Sequence, residues 1–211
     1  MAPTIQENPS VPTAATPGAF PTTPILTTPT VLLRPYHASD VPSIVKEAND
    51  PLVPKYLRNH FPHPYTAADA SDWVARTAAS TPVVNFAVCH FPSGEYAGGI
   101  GLKPFPPADV EARTMEIGYW FGRAHWGRGL ATEAVRAFSR WSFEAFPEVL
   151  RLEAGVFGGN AASGKVLEKA GYTLEGRRRN AGWKDGEAFD IVMYGLLREE
   201  SLGTGAAVET P

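Results

Sequence analysis

The sequence predicts an α/β fold of about seven strands and about four helices, and two observations carry that expectation. Between Thr114 and Phe157 a strand, a glycine turn, an amphipathic helix and a second strand follow one another, which is a right-handed βαβ unit. Upstream, Val83 to Phe91 and Tyr96 to Lys103 flank Pro92-Ser93-Gly94 and read as a hairpin.

Each element has a local reason. Val31-Leu32-Leu33-Arg34 is a short apolar strand, and Ser39 or Asp40 caps a helix that runs to about Ala48. Thr66 starts a second helix with Ala70, Trp73, Val74 and Thr77 on one face. After the hairpin, Thr114 to Phe121 alternates: Met115, Ile117, Tyr119 and Phe121 face one way, and Thr114, Glu116, Gly118 and Trp120 the other. Leu130, Ala134, Phe138, Trp141 and Ala145 recur at helical spacing until Pro147 ends the run. Arg151 to Phe157 is the next strand. Asn160 N-caps a short helix that buries Val166, Leu167 and Ala170, and Gly171 closes it. Tyr172 to Arg179 and Phe189 to Leu197 complete the set.

Composition bounds the rest. The chain of 211 residues suffices for one domain, expected over residues 30–200. Residues 1–29 are rich in Pro, Thr and Ala and contain no Lys or Arg, which predicts a disordered tail rather than a targeting sequence. Residues 201–211 are expected to fray. A net charge of -3 argues against a dedicated nucleic-acid surface, and Arg177-Arg178-Arg179 reads as one edge of a solvated strand. No apolar run approaches the roughly 18 residues of a membrane span, so a cytoplasmic location is the expectation. Cys89 is the single cysteine and lies in an apolar strand, which makes it a core residue and leaves no disulfide framework. His60 and His63 have H-x-x-H spacing but occupy a Pro-interrupted loop, so no metal is expected there.

Trp126-Gly127-Arg128-Gly129-Leu130-Ala131 holds the chemistry. So little side chain lets backbone N–H groups approach a ligand, and the helix behind adds unpaired N–H groups and a positive dipole end. That is a phosphate cradle. It fits neither G-x-x-x-x-G-K-[ST] nor G-x-G-x-x-G, since Thr132 stands where the last glycine belongs, so ATP and NAD are poor candidates. Arg123, His125 or Arg128 could assist a phosphate.

The blocks around the cradle resemble a family. Glu116-Ile117-Gly118-Tyr119-Trp120, the stretch Trp126 to Ala134, Asn160-Ala161-Ala162-Ser163 and Val166 to Tyr172 are similar to the GCN5-related N-acetyltransferases. Within them they resemble the ribosomal-protein-alanine N-acetyltransferase branch, and Asp185-Gly186-Glu187 with Asp190 and Tyr194 continues the pattern. The resemblance implies a mixed central sheet flanked by helices, acetyl-CoA as co-substrate, and no metal. It places the pyrophosphate on Trp126, Gly127, Arg128, Gly129, Leu130 and Ala131. Trp126 replaces the Gln or Arg of the broader family, and the backbone donors survive that change.

Acetyl transfer needs a free amine and a way for CoA to depart. An alkyl amine has a pKa near ~10.4 and an α-amine about 7.7–8.0, so near neutral pH the former is roughly a thousandfold short of free base. Glu116, on the strand leading into the cradle, is the candidate base, acting through a water; the alternative is a carboxylate tied structurally to neighbouring loops. Many relatives use a Tyr on the later helix to meet the thiolate. Here the resemblance assigns that place to Ser163, with Asn160 on the pantetheine or a bridging water, while the local reading makes Asn160 an N-cap and Ser163 its N3 partner. Asp185, Glu187 and Asp190 read as strand and turn charges, one of them an alternative base. The resemblance sets Asp50 to Tyr65, with Tyr56, Arg58, His60 and Phe61, over the acceptor. Basic and aromatic groups there suit a carboxylate or aromatic acceptor better than a polyamine; the alternative is an ordinary exposed loop whose aromatics pack onto the sheet. The expected activity is N-acetylation of a primary amine, on a small molecule or a peptide N-terminus, by direct attack in a ternary complex. The protein would act as a monomer or homodimer. The competing reading is a noncatalytic acyl-CoA-binding module.

Overall fold

Strand pairing explains where a ligand can enter. The computed structural model describes residues 23–203. Its strands are β1 (Leu26–Thr27), β2 (Val31–Arg34), β3 (Asn85–His90), β4 (Tyr96–Pro104), β5 (Thr114–Phe121), β6 (Arg151–Phe157), β7 (Thr173–Lys184) and β8 (Glu187–Leu197). They form one eight-stranded sheet in the order β1-β2-β3-β4-β5-β6-β8-β7. Only β5 and β6 run parallel, and their ladder covers just Thr114–Glu116 against Arg151–Glu153. Beyond Glu116 each strand stays paired on its other side, β5 to β4 as far as Phe121 and β6 to β8 as far as Phe157. The sheet therefore splits between β5 and β6, and Glu116 stands at the fork.

Helices cover both faces. Alternation in β5 sends Met115, Ile117 and Phe121 into a core shared with Leu130, Ala134, Phe138 and Leu167, which come from α3 (Leu130–Ala145) and α4 (Ala161–Ala170). The opposite face of the sheet packs Ala87, Cys89 and Tyr96 against Ile44, Ala48, Ala70 and Val74 of α1 (Val41–Ala48) and α2 (Ala67–Ala79), with Trp120 and Phe61 at its margin. Burying an aliphatic or aromatic side chain contributes roughly 1.5–3 kcal/mol, so these two layers hold the split sheet from either side.

Caps set the helix ends. Thr66 and Asp69 form a reciprocal capping box on α2, Asn160 Oδ1 accepts from Ser163 N at 3.2 Å on α4, and Gly171 closes α4 in the left-handed region. Asp40 precedes α1 without capping it through its side chain. Its carboxylate is buried and takes two bonds from Arg34, at 2.6 and 2.8 Å, and one from His37 N at 2.8 Å.

Three expectations need correction at the margins. The ordered fold starts before residue 30: β1 pairs with β2, and Ile25 N donates to Leu33 O at 2.9 Å, because Ile25 and Leu26 pack onto the core. The remainder of the expected N-terminal tail, residues 1–22, lies outside the described residues. At the other end α5 (Arg198–Leu202) carries Ser201 and Leu202 into a helical turn, and residues 204–211 lie outside the description. The last two strands form a longer hairpin than expected, closed at Asp185-Gly186, where both residues have positive φ as a tight Asp-Gly turn requires.

Candidate active site

The split in the sheet opens a cleft of ≈ 1670 Å³. A pocket for a single drug-sized ligand measures roughly 300–1,000 Å³, so this cleft has room for two substrates together. Its walls are the diverging β5 and β6, the start of α3, the start of α4 and the segment between α1 and α2.

The glycine turn forms one end. Gly127 and Gly129 have φ of 73° and 80°, a left-handed backbone that glycine adopts without strain. Gly129 is the N-cap residue of α3, and Glu133 N makes the first helical bond, to Gly129 O at 3.1 Å. The N–H groups of the first turn have no partner within the helix and point along its positive end. A Cβ built at Gly127 or Gly129 meets no atom within 4 Å, so the space above the turn is open. Trp126 is held by its indole N–H, which donates to Phe121 O at 2.8 Å. Leu130 turns its side chain into the core.

The side chains suggested as phosphate partners divide. Arg128 is exposed beside the turn. Arg123 pairs with Asp50 at 3.5 Å. His125 is buried: its Nδ1 bonds His90 Nε2 at 2.9 Å and its Nε2 lies 3.5 Å from Glu47 Oε2. Burial lowers its pKa below the ordinary imidazole value, which favours the neutral ring.

Ser163 and Glu116 approach the gap from opposite faces of the sheet. Ser163, in the first turn of α4, shares a 2.8 Å hydrogen bond with the Tyr119 hydroxyl. Tyr119 lies on the β5 face that packs toward α3 and α4, where burial pushes its pKa up to about 12 and keeps it protonated. Alternation along the strand places Tyr119 on this face, but nothing local in the sequence pairs it with Ser163. The position of Tyr119 three residues after Glu116, on the other face of the same strand, was the available signal.

On the opposite face the Glu116 carboxylate is ion-paired with Arg58 and has Lys103 Nζ 3.8 Å from its other oxygen. Tyr56, Arg58, His60 and Phe61 all line the cleft. Their segment bridges the cleft: Tyr56 donates to Gly159 O at 3.4 Å, Asn59 to Trp183 O at 3.3 Å, and Lys184 Nζ donates to Leu57 O at 2.8 Å. Phe61 meets Trp120 edge-to-face at 5.4 Å.

Of the other candidate carboxylates, Asp190 and Asp185 sit in local structure, and Glu187 opens β8 opposite Lys184. Asp190 accepts from Asn180 N at 2.9 Å and from Arg177 at 3.2 Å, and Asp185 is in the hairpin turn. Cys89 is fully buried in the layer of α1 and α2, and burial pushes its thiol up to about 11, so it is no acyl nucleophile.

Residues 30–173 match the family model described as an acetyltransferase (GNAT) domain. The chain belongs to the GNAT acetyltransferase family. An N-acetyltransferase of Bacillus licheniformis, p20, is 30% identical to this GNAT chain, over 84% of its length and 98% of the relative's. Among solved structures, the ribosomal L7/L12 α-N-protein acetyltransferase RimL in complex with coenzyme A matches with a TM-score of 0.69 at 20% identity, covering 83% of this chain and 98% of RimL. The microcin C7 self-immunity acetyltransferase MccE, in complex with acetyl-CoA and AMP, matches with a TM-score of 0.69 at 16% identity, covering 81% and 93%. At these identities the two structures speak for the fold, and the GNAT assignment makes the protein an acetyltransferase.

Proposed function

We propose that this acetyltransferase moves the acetyl group of acetyl-CoA to a primary amine by direct attack in a ternary complex. One observation carries the reading: Glu116 and Ser163 reach a single gap in the sheet from opposite faces, so a donor and an acceptor can meet there without an acyl-enzyme. The buried Cys89 supports the same route. CoA and acetyl-CoA in the two solved neighbours support the co-substrate, and a cytoplasmic site of action belongs to the same reading.

The pyrophosphate would take the N–H groups from Gly127 to Ala131, with Arg128 alongside. The pantetheine carries amide groups, and the unpaired inner edges of β5 and β6 offer it peptide-like partners. Asn160 would meet it at the start of α4 while keeping its cap. The acceptor arrives as an ammonium and gives one proton to Glu116, directly or through a water, and from there to solvent. The nitrogen lone pair then attacks the thioester carbon, a C–N bond forms and the C–S bond breaks. The nitrogen gives its second proton to Glu116, which has already passed the first to solvent, as the departing thiolate gains one from the Ser163–Tyr119 pair, and solvent returns a proton to that pair.

Glu116→Gln and Ser163→Ala should each lower kcat by about 10²–10⁴ with little change in acetyl-CoA affinity. Thiol release over a panel of amines, beside calorimetric binding of acetyl-CoA, checks this. Acetyl-CoA binding by the wild type with no thiol release on any amine would favour the noncatalytic module instead.

A further inference from the structure

We propose that the acceptor is a free α-amino acid, whose carboxylate draws Arg58 off Glu116 and thereby frees the base that its own ammonium needs. The inference rests on Glu116 as the base. In the structure the Glu116 carboxylate is occupied by the Arg58 guanidinium, and a carboxylate whose oxygen is committed to a guanidinium must release it before taking a proton from an ammonium. Lys103 faces the other oxygen at 3.8 Å and is largely exposed, so it remains a screened neighbour.

The Arg58 pair is built to exchange. The Arg58 side chain is 52% exposed, and ion pairs this accessible contribute little to stability. The segment carrying it is anchored on either side, by Lys184 on Leu57 O and by Asn59 on Trp183 O. The loop therefore stays in place while the guanidinium changes partner. A guanidinium binds a carboxylate through two parallel hydrogen bonds, a better match than the contact it gives up.

Spacing selects the acceptor class. Arg58 and Glu116 are in contact, so a ligand that satisfies both must carry a carboxylate and an ammonium close together. An α-amino acid holds them on one carbon. An alkylamine or polyamine would offer Glu116 an ammonium but leave Arg58 and Lys103 facing a further cation. A peptide N-terminus has its α-carboxyl tied up as an amide. Phe61 and Trp120 wall the same mouth and suit an apolar or aromatic side chain. The proton step balances within the complex: the ammonium becomes a neutral amine as the freed Glu116 carboxylate becomes a carboxylic acid.

The test compares each proteinogenic amino acid with its carboxamide by thiol release, in the wild type, Arg58→Gln and Glu116→Gln. For at least one amino acid, the wild type should favour the acid over the amide by about tenfold or more in kcat/KM. Arg58→Gln should bring that ratio close to one, and Glu116→Gln should depress acid and amide together. Equal wild-type rates on acid and amide, with Glu116→Gln still inactive, would overturn the proposal while leaving the base in place. Full activity of Glu116→Gln would overturn the base and the proposal with it. Preference for an N-terminal peptide or a polyamine over every amino acid would also overturn it. So would the absence of both thiol release and calorimetric binding with all of them.

Discussion

The Tyr119 hydroxyl lies 2.8 Å from Ser163 Oγ, and burial holds it protonated to about pH 12. A serine alone is a poor proton source for a thiolate. A serine that shares a hydrogen bond with a buried phenol can pass a proton on while being resupplied. Tyr119→Phe should therefore lower kcat on the order of tenfold, less than the 10²–10⁴ expected for outright loss of an acid–base group. The affinity for acetyl-CoA should stay near wild type. An unchanged kcat, measured under acetyl-CoA saturation, would leave Ser163 to act without its partner.

At the scale of the element, the start of α3 is where backbone geometry becomes binding. Gly129 is left-handed at φ 80°, and a Cβ there would touch nothing. Gly129→Ala should cost about 1–2 kcal/mol from backbone strain alone. If the pyrophosphate rests on this turn, CoA affinity should fall by more than that strain explains, because the new methyl enters the open space over the N–H groups. Denaturant unfolding and calorimetric CoA binding on the same variant separate the two effects. Equal CoA affinity would move the pyrophosphate elsewhere. Helix α4 makes a related point. Asn160 caps it and Ser163 N donates to that cap, so the local reading of the pair is correct, and the tertiary contact with Tyr119 adds a second use for the serine side chain.

For the whole molecule, the buried His125 and the half-buried His90 tie the segment before the turn to β3 and α1. His125 is packed between His90 of β3 and Glu47 of α1. Burial places its folded-state pKa below the unfolded value near ~6.5, so the unfolded chain binds more protons in the window between the two. Stability from this site is thus complete above about pH 6.5 and is lost as pH falls through the depressed folded value. His125→Gln should flatten that dependence: thermal unfolding followed from neutral to mildly acid pH should show a steeper decline for wild type. Parallel curves would mean that another group carries the acid sensitivity.

Local chemistry written along the chain determined the α/β class, the alternation of β5, the stripe of α3, the caps Thr66 and Asn160, and the glycine turn. These depend on periods of two and 3.6 and on backbone conformations that only certain residues adopt. The hairpin ends were less accessible, although Asp185-Gly186 is itself a turn signal that extends both strands. Tertiary structure alone decided that β5 and β6 part at Glu116, that Tyr119 meets Ser163 across the gap, and that Arg58 closes on Glu116 from a segment 58 residues earlier. It also set the buried His125 against His90 and Glu47. The physical reason is that an ion pair or a shared proton depends on separation in space, which pairing register and packing set and sequence distance does not.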